Sequence, residues 1–588
     1  MKKVVQSAIV VFVALLAFSG CKSRELNTQF SNTTGWNYYD EKTTNFEAKE
    51  GVGNVDPVGM VSIQGGTFAI GQTDEFVTAP RDNSRRSITV SSFYMDKYEI
   101  SNLNWREYEH WMTMVFGYAA PKLVQAALPD TLVWRDELAY NEPYVENYYR
   151  HPAFSFYPVV GVSWDQAMNY CQWRTDRVNE LALVHAGAIE FPNFKQLRAL
   201  NETELEDWRN ANPGYEPVEV EVARGEDVQT EYHVPYEWIR DKFVFNTEKY
   251  LVDRNYNPVN PDAQRRSKKF HDAWNNPRKV DRSDGILVIG YRLPTEAEWE
   301  FAAYAPVAGT DGLTIEGKVY PWSGYHPRDL SDKNMGMMQA NFIRGKGDMM
   351  GVSGMLNDGY VITNPVDAFA PNDFGLYNMA GNVNEWVLDV YRETTYQDAT
   401  EYNSFRGNIY SRAKKDENGQ YVINPLGGID VEWNSDDDKR DYLDGDFASL
   451  IQTDYPLDTL GALFLKGLAA NTEGNGGEEE GGDEDEGGEE EAEEGEDEGG
   501  EGEEEEGGDE GGAAPAAEKK IDPTDIYAPK ITKTTHVYKG GSWNDRVYWL
   551  HPSSRRYLEG NKSKSTIGFR CAMSTIGDQI PSGPNRGK

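Results

Sequence analysis

The chain has 588 residues, of which 97 are acidic and 58 are basic, and its formal net charge is −39 at pH 7. A hydrophobic fraction of 39%, including 12% aromatic residues, is sufficient to bury a sizeable core. The acidic balance excludes the basic surface that nucleic-acid binding requires, so no nucleic-acid partner is expected. Residues 478–510 carry 22 acidic side chains and no basic ones, which leaves a net charge of −17 for the other 555 residues.

The start of the chain has the pattern of a secretory signal. Two lysines precede the apolar run AIVVFVALLAF, and a Ser-Gly pair then precedes Cys21. The run is too short for an ordinary membrane span, so residues 1–20 are predicted to be a signal peptide. Small residues before a cysteine are typical of bacterial lipoproteins, and acylation of Cys21 would make residues 21–57 a lipidated tether. A plain signal peptide with an incidental cysteine is the alternative.

A folded domain is predicted over residues 58–473 and 516–575. Strand residues flank a Gly-Gly turn in MVSIQGGTFAIG, and THVYKGGSW and TIGFRCAM are predicted to form the closing strands. Between about 185 and 285 the chain is charged, rich in Pro and Asn, and weakly periodic, which indicates a long insertion.

Helix starts are marked by capping residues at three places in this domain. Ser101 and Ser163 are predicted N-caps, and the second helix carries Cys171 on an apolar face. Thr295 followed by Glu298 has the spacing of a capping box, in which each side chain satisfies a free amide of the first turn.

The segment 474–515, rich in Glu and Gly, has almost no apolar residue to bury and repels itself electrostatically, so it is predicted to be disordered. A solvated spacer between folded parts is the favoured interpretation, and calcium buffering or a basic partner is the alternative. Residues 576–588 form a tail.

Cys171 and Cys571 remain in the mature chain and lie 400 residues apart in sequence. In an exported protein they can form a disulfide, which the compartment favours, or they can be two buried thiols.

Four motifs occur in order: VVGVSWDQAMNYCQW, YRLPTEAEWEFAA, FGLYNMAGNVNEWV and KGGSW followed by RR and IGFRCA. Together they resemble the formylglycine-generating enzyme (sulfatase-modifying factor) family. The resemblance implies an α+β fold of the C-type-lectin-like kind, with little regular secondary structure and long insertions. It also implies that Cys171 and Cys571 form the structural disulfide of the family.

The active members of that family oxidise a substrate cysteine with copper bound by two cysteines after the GGSW-like turn. The corresponding positions here hold Asp545 and Leu550, and neither side chain replaces a soft thiolate ligand of Cu(I). The resemblance therefore predicts a protein that binds no copper and is not an enzyme. No two histidines have the close spacing of a metal site, so another metal centre is not supported. Ser542 could act as a nucleophile only with a general base, and the sequence indicates none.

The resemblance also implies two structural calcium sites built from oxygen donors, as a hard cation requires. The first would use the side chains of Asn341 and Asp358 and the backbone of Phe342 and Tyr360. The second would use the side chains of Asn378 and Glu385 and the backbone of Gly381 and Val383. The alternative is that these loop residues form hydrogen bonds without a metal.

A narrower resemblance rests on TGWNYYD, ALPDTLVWRDELAYNE, HPAFSFYPVVGVSW, CQWRTDRVNE and VYKGGSWNDRVYWLHPSSRRYLEG. These segments look like those of the GldJ-type gliding-motility lipoproteins of the Bacteroidota, relatives of GldK/PorK. The resemblance implies lipid anchoring at the periplasmic face of the outer membrane. It also implies partners in the type IX secretion and gliding machinery, such as the GldK/PorK–GldN/PorN ring.

The favoured function is therefore a non-catalytic structural component of that machinery. One alternative is an oxidase or maturase of exported proteins, and the missing thiols argue against it. The other alternative is a surface lipoprotein that binds glycans or peptides, which protease treatment of intact cells would distinguish.

Overall fold

The computed structural model of the chain describes most of the predicted domain. The described residues are 30, 31, 33–38, 57–72, 83, 85–136, 138–224, 227–252, 270, 278–306, 318–344, 358–391, 411–416, 420–423, 429–433 and 534–576. The predicted signal peptide, the predicted lipidation site Cys21, most of the predicted tether, the acidic segment 474–515 and nearly all of the tail lie outside these residues.

The described chain alternates short helices and short strands. The helices are α1 (Asn102–Phe116), α2 (Pro121–Ala126), α3 (Glu142–Asn147), α4 (Trp164–His185), α5 (Glu202–Ala211), α6 (Tyr236–Trp238), α7 (Thr247–Val252) and α8 (Glu296–Tyr304). The strands are β1 (Met60–Ile63), β2 (Gly66–Ile70), β3 (Arg86–Val90), β4 (Phe93–Asp96), β5 (Val218–Arg224), β6 (Asp227–His233), β7 (Asn384–Val390), β8 (Ser411–Ala413), β9 (Val431–Trp433), β10 (Thr535–Lys539), β11 (Arg556–Glu559), β12 (Ile567–Gly568) and β13 (Ala572–Ser574).

Two sheets join distant parts of the sequence. The first has the order β1-β4-β13, so the C-terminal strand β13 pairs antiparallel with β4 near the start of the domain. The second has the order β11-β10-β7-β12, in which β10 is antiparallel to β7 and β12 is parallel to it. The hairpins β2-β3, β5-β6 and β8-β9 are separate. The strands of the second sheet position the turn that follows β10.

The helix starts follow the predicted capping chemistry. The Ser101 hydroxyl accepts from the backbone N–H of Asn104, and Ser163 accepts from that of Gln166. The Thr295 hydroxyl accepts from the N–H of Glu298 at 3.2 Å, and the Glu298 carboxylate accepts from the N–H of Thr295 at 2.9 Å. All three predicted N-caps are confirmed, because capping depends on residues only three positions apart.

The core is aromatic and lies between α1, α4, α8 and the two sheets. Trp105 stacks on Tyr170 of α4 with ring centroids 5.3 Å apart, and Trp164 buries its ring and donates to the carbonyl of Val387 at 2.8 Å. The indole of Trp299 on α8 and that of Trp386 on β7 are fully buried. Burial of each such ring stabilises the fold by about 2–3 kcal/mol, so these four tryptophans fix how helices and sheets pack.

The described parts of the predicted insertion 185–285 contain α5, the β5-β6 hairpin, α6 and α7. This region packs on α4 through Leu183, Phe245 and Tyr250, which form an apolar cluster. Asp176 of α4 adds a polar contact, because its carboxylate accepts from the backbone N–H of Thr247 at 2.8 Å.

Asp176 makes this contact dependent on pH. Burial raises the pKa of Asp176 to about 6, even though the charge of Arg177 and hydrogen bonds from Thr247 oppose the shift. A carboxyl whose pKa is higher in the folded state stabilises the fold at low pH, and this contribution is lost as the pH rises from about 4 through about 6. Between pH 4 and pH 7, the free energy of unfolding of Asp176→Asn should rise by up to about 3 kcal/mol relative to that of the parent protein. Urea unfolding at the two pH values measures this difference.

The matched control is Asp207→Asn, at an exposed position of α5. Its stability relative to the parent should not change between the two pH values. A parallel pH dependence for Asp176→Asn and the parent would show that Asp176 ionises normally in the folded protein.

Candidate functional site

The turn after β10 is shaped by two glycines in the left-handed region. Gly540 has φ = 103° and Gly541 has φ = 71°. A Cβ atom at Gly540 would lie 3.1 Å from the ring of Trp299, and one at Gly541 would lie 2.8 Å from the carbonyl oxygen of Trp549. Both the backbone conformation and the close packing therefore require glycine. The turn places residues 542–550 beside β7.

Asp545 stands at the first of the two positions where the active family has a copper-binding cysteine. Its carboxylate forms an ion pair. Arg556 donates to both carboxylate oxygens at 2.7 Å. The Ser542 hydroxyl donates to the same carboxylate at 2.6 Å and the Asn384 amide does so at 3.1 Å. Burial alone would raise the pKa of Asp545, but the hydrogen bonds and charge of Arg556 lower it overall. The carboxylate is thus an anion whose acceptor positions are used by protein donors.

Arg556 is itself held from two sides. Its guanidinium lies 4.5 Å from the ring centroid of Trp549 and 5.0 Å from that of Tyr538. It also donates to the side-chain oxygen of Asn384. A bidentate guanidinium–carboxylate pair with stacking contacts is geometrically specific, so it fixes the loop 542–556 against β10.

Leu550 stands at the second position where the active family has a copper-binding cysteine, and its side chain belongs to the core. Its side chain is fully buried and packs with Met338, Ala340, Phe342 and Ala380. Neither position offers a thiolate, the soft ligand that suits Cu(I).

A Ser–His contact that the sequence did not suggest lies close to this loop. The Ser553 hydroxyl is 2.6 Å from Nδ1 of His551, and the Tyr304 hydroxyl is 3.3 Å from the same nitrogen. Ser553 is fully buried. Burial and the charge of Lys539 lower the pKa of His551 to about 4, so the imidazole is neutral. The Ser553 hydroxyl is thus not exposed to solvent in this arrangement.

Lys539 is buried as part of an ionic cluster beneath the turn. Its ammonium lies 2.7 Å from Glu300 and 3.2 Å from Glu296, and Arg555 donates to Glu296 at 2.7 Å. Two cations balance two carboxylates, which lets these charges be buried. The cluster ties α8 to β10 and supports the turn from below.

The two cysteines meet in the core. The Sγ atoms of Cys171 and Cys571 are 3.5 Å apart, and both residues are buried as unbonded thiols. Burial is the first cause of a strongly raised pKa at Cys571, so this thiol stays protonated at neutral pH. The contact brings the predicted partners together, and the disulfide itself stays a prediction.

The residues of the first predicted calcium site lie together. The carboxylate of Asp358 accepts from the backbone N–H of Phe342 at 3.4 Å and from that of Tyr360 at 3.2 Å. The buried Asn341 amide donates to the carbonyl of Ile362 at 2.8 Å. The predicted calcium ligands of this site are side-chain and backbone oxygens on two loops, and such oxygens suit a hard cation.

The side chains of the second predicted site have partners within the protein. Glu385 is fully buried, and its oxygens accept from Arg570 at 2.6 Å each and from the Trp299 indole at 2.7 Å. Asn378 instead donates to Glu99 at 3.0 Å, as Asn382 does at 2.8 Å.

Glu99 is a buried carboxylate that the sequence did not single out. It is 2% exposed, and its Oε1 has no hydrogen-bond partner among the described residues. Burial raises the pKa of Glu99 to about 8, and the charge of Glu385 adds to the shift, while Arg570 opposes it. A pKa near 8 leaves Glu99 largely protonated at neutral pH, so Glu385 is the buried carboxylate that balances the guanidinium of Arg570.

The two predicted calcium sites adjoin each other. Gly381, at φ = 82°, lies so close to Asn341 that an added Cβ would be 2.3 Å from its carbonyl oxygen, and that oxygen accepts from the N–H of Asn382. Val383 follows directly and is fully buried. Within the described residues no group of three or more His, Cys, Asp or Glu side chains could hold a metal, so amide and backbone oxygens would have to complete either site.

Relatives of the chain were found among curated proteins. The formylglycine-generating enzyme of Thermomonospora curvata is 44% identical over 139 residues, which cover 24% of this chain and 35% of that protein. The formylglycine-generating enzyme of Mus musculus is 33% identical over 153 residues, covering 26% and 35%. Inactive C-alpha-formylglycine-generating enzyme 2 of Bos taurus is 34% identical over 123 residues, covering 21% and 33%. The chain thus spans about a third of the length of these relatives.

Among solved structures, PvdO from Pseudomonas aeruginosa is similar with a TM-score of 0.34 and 14% identity, over 90% of this chain and 99% of that chain. Treponema denticola variable protein 1 has a TM-score of 0.31 and 14% identity, over 88% and 94%.

The family model of the sulfatase-modifying factor enzyme 1-like domain matches residues 47–423, and the chain belongs to this family. The predicted α+β fold of the formylglycine-generating enzyme type is confirmed. The relatives include proteins named as enzymes and proteins named as inactive, so membership alone does not decide activity, and the residues of the site have to.

Among the described residues, no helix combines the length and apolar character needed to cross a bilayer.

Proposed function

We propose that this protein is a non-catalytic lipoprotein of the outer membrane that serves as a structural component of the type IX secretion and gliding machinery. The observation that carries the loss of catalysis is the ion pair between Asp545 and Arg556 at a position where the active family binds copper. Asp545 stands at this position, and an arginine binds both of its carboxylate oxygens. Leu550 stands at the other copper-binding position, and its side chain packs in the core. These contacts hold the loop in its shape.

The proposed location follows from the start of the sequence. Acylation of Cys21 would hold the domain at the periplasmic face, and residues 22–57 would separate it from the lipid. The narrower resemblance to GldJ-type lipoproteins supports partners such as the GldK/PorK–GldN/PorN ring.

Crosslinking in intact cells followed by purification from outer membranes tests this role. We expect recovery of secretion or motility components with the parent protein. The variant Cys21→Ala should leave the membrane fraction and recover fewer of these components, whereas Ser23→Ala keeps the anchor and serves as the control. Recovery of no such component with the parent protein would refute the proposed role.

We also propose that calcium binds the adjoining loops. Asn341 and Asp358, with backbone oxygens of Phe342 and Tyr360, would hold one ion. Asn378, with backbone oxygens of Gly381 and Val383, would hold the other. The unpartnered Oε1 makes Glu99 a better carboxylate for the second site than Glu385, which Arg570 already binds.

Calcium should raise the melting temperature of the parent protein relative to the protein in EGTA, because a ligand at 100 times its Kd stabilises by about 2.7 kcal/mol. Asp358→Asn and Glu99→Gln should each reduce this calcium-dependent increase. Asp367→Asn, at an exposed position of the neighbouring loop, is the control and should retain it. Equal melting temperatures of the parent in calcium and in EGTA would remove calcium from the account.

A further inference from the structure

A cavity of about 330 Å³ lies between the loop 321–339 and the segments 368–372 and 376–380. One wall is a small hairpin, in which Arg328 and Met338 form a β-bridge and the N–H of Asp329 donates to the carbonyl of Met337 at 2.8 Å. The floor shares Met338 and Ala380 with the cluster that buries Leu550. Leu550 itself does not line the cavity.

The apolar lining consists of side chains that adapt to a ligand. Trp322, Met337, Met338, Phe369 and Met379 line the cavity. The ring of Trp322 is fixed by stacking on Tyr320 at 4.9 Å, whereas thioethers are flexible and polarizable.

The tip of the hairpin continues this apolar surface into solvent. Leu330 is 64% exposed and Met335 is 66% exposed, while Met337 at the cavity is 39% exposed. Large apolar side chains grouped on one loop beside a cavity are typical of a binding surface.

The charge of the cavity is entirely of one sign. Among its described lining residues, the charged side chains are those of Asp329 and Asp358. Lys, Arg and His are absent from that lining. The carboxylate of Asp329 accepts from the N–H of Ser331 at 2.8 Å, which lowers its pKa and keeps it ionised. An anionic rim over an apolar interior is complementary to a group with a positive charge next to an apolar body.

We propose that this cavity binds a partner-protein segment in which an apolar side chain is adjacent to a lysine or arginine. The apolar side chain enters between Trp322 and Met337, and the cation lies against Asp329. The inference rests on the proposed role as a binding component and names a surface through which that role is performed. Glycans and acidic peptides are the other occupants that the test below distinguishes.

Methyl NMR on the full-length protein with ¹³C-methyl methionine tests this surface directly. The probe is the acetylated and amidated peptide Leu-Lys-Phe-Arg-Leu, compared with Leu-Glu-Phe-Asp-Leu and with a neutral oligosaccharide. We expect the cationic peptide alone to shift the methyl signals of Met337, Met338 and Met379. Met95 is buried in the core and does not line the cavity, so its methyl signal should not shift.

Asp329→Asn should weaken binding of the cationic peptide roughly two- to five-fold, the effect of one surface charge. Asp332→Asn changes an exposed carboxylate of the same hairpin that does not line the cavity, and it should leave the affinity unchanged. Asp358, Tyr360 and Asn378 line the cavity and are also proposed calcium ligands, so the titrations are carried out in EGTA, where no calcium offsets the negative charge of Asp358.

The proposal is overturned if the three methyls do not respond, or if the acidic peptide or the oligosaccharide shifts them equally. Failure of the cavity and failure of the proposed role are distinguishable. Crosslinked secretion components without a methyl response would reject the cavity alone. A response without any crosslinked component would support the cavity and reject the proposed role.

Discussion

Replacing Arg570 with methionine is expected to destabilise the folded protein by about 3–5 kcal/mol, the usual cost of removing one partner from a buried ion pair. Arg570 and Glu385 are both fully buried, and the guanidinium donates to both oxygens of Glu385 at 2.6 Å. It also donates to the carbonyl of Tyr377 at 2.8 Å. Loss of the guanidinium would leave Glu385 as a buried carboxylate without its counter-charge.

Urea unfolding followed by circular dichroism measures this loss. Arg135→Met is the matched control, because Arg135 forms an exposed pair with Glu142, with side-chain exposures of 58% and 47%. We expect no measurable change for that variant, since exposed pairs are screened by water. If Arg570→Met unfolded at the same urea concentration as the control, the Arg570–Glu385 pair would not be a supporting element of the fold.

The second large effect is expected from oxidation of the cysteine pair. Cys171 and Cys571 are 400 residues apart in sequence and their sulfurs are 3.5 Å apart. A bond between them would close a very long loop in the unfolded chain, and the chain-entropy relation gives an upper limit of about 6 kcal/mol. We therefore expect the oxidised protein to unfold at a much higher urea concentration than the protein treated with a reductant.

Cys171→Ala is the control, because its unfolding should not respond to the reductant. Thiol counting on the exported protein completes the measurement. The prediction is wrong if both thiols of the exported protein are free after unfolding and its urea midpoint is the same with and without reductant.

Local chemistry explains which parts of the fold the sequence predicted. The capping residues Ser101, Ser163 and Thr295 act on amides within three positions, so their roles could be recognised from spacing. The substitution at Asp545 was also visible, because the GGSW motif fixes the register of the loop. The structure adds that Arg556 converts this substitution into an ion pair.

Long-range pairings explain what the sequence could not predict. Glu99 and Asn378 are 279 positions apart, and no local pattern indicates that they meet. The motif placed Glu385 in the second calcium site, yet its dominant partner is Arg570, 185 positions away. Charge pairing of this kind is decided by how sheets assemble, so a motif identifies the residue without identifying its partner.

We propose that the loop 540–550 keeps the fold of a copper-dependent oxidase without its chemistry. The most direct measurement incubates the full-length protein with Cu(I), oxygen and a cysteine-containing peptide, and follows conversion of the cysteine side chain to an aldehyde by mass spectrometry. The formylglycine-generating enzyme of Thermomonospora curvata serves as the positive control. We predict no copper-dependent aldehyde above the level seen without protein, and copper-dependent aldehyde formation by the parent protein would contradict the account.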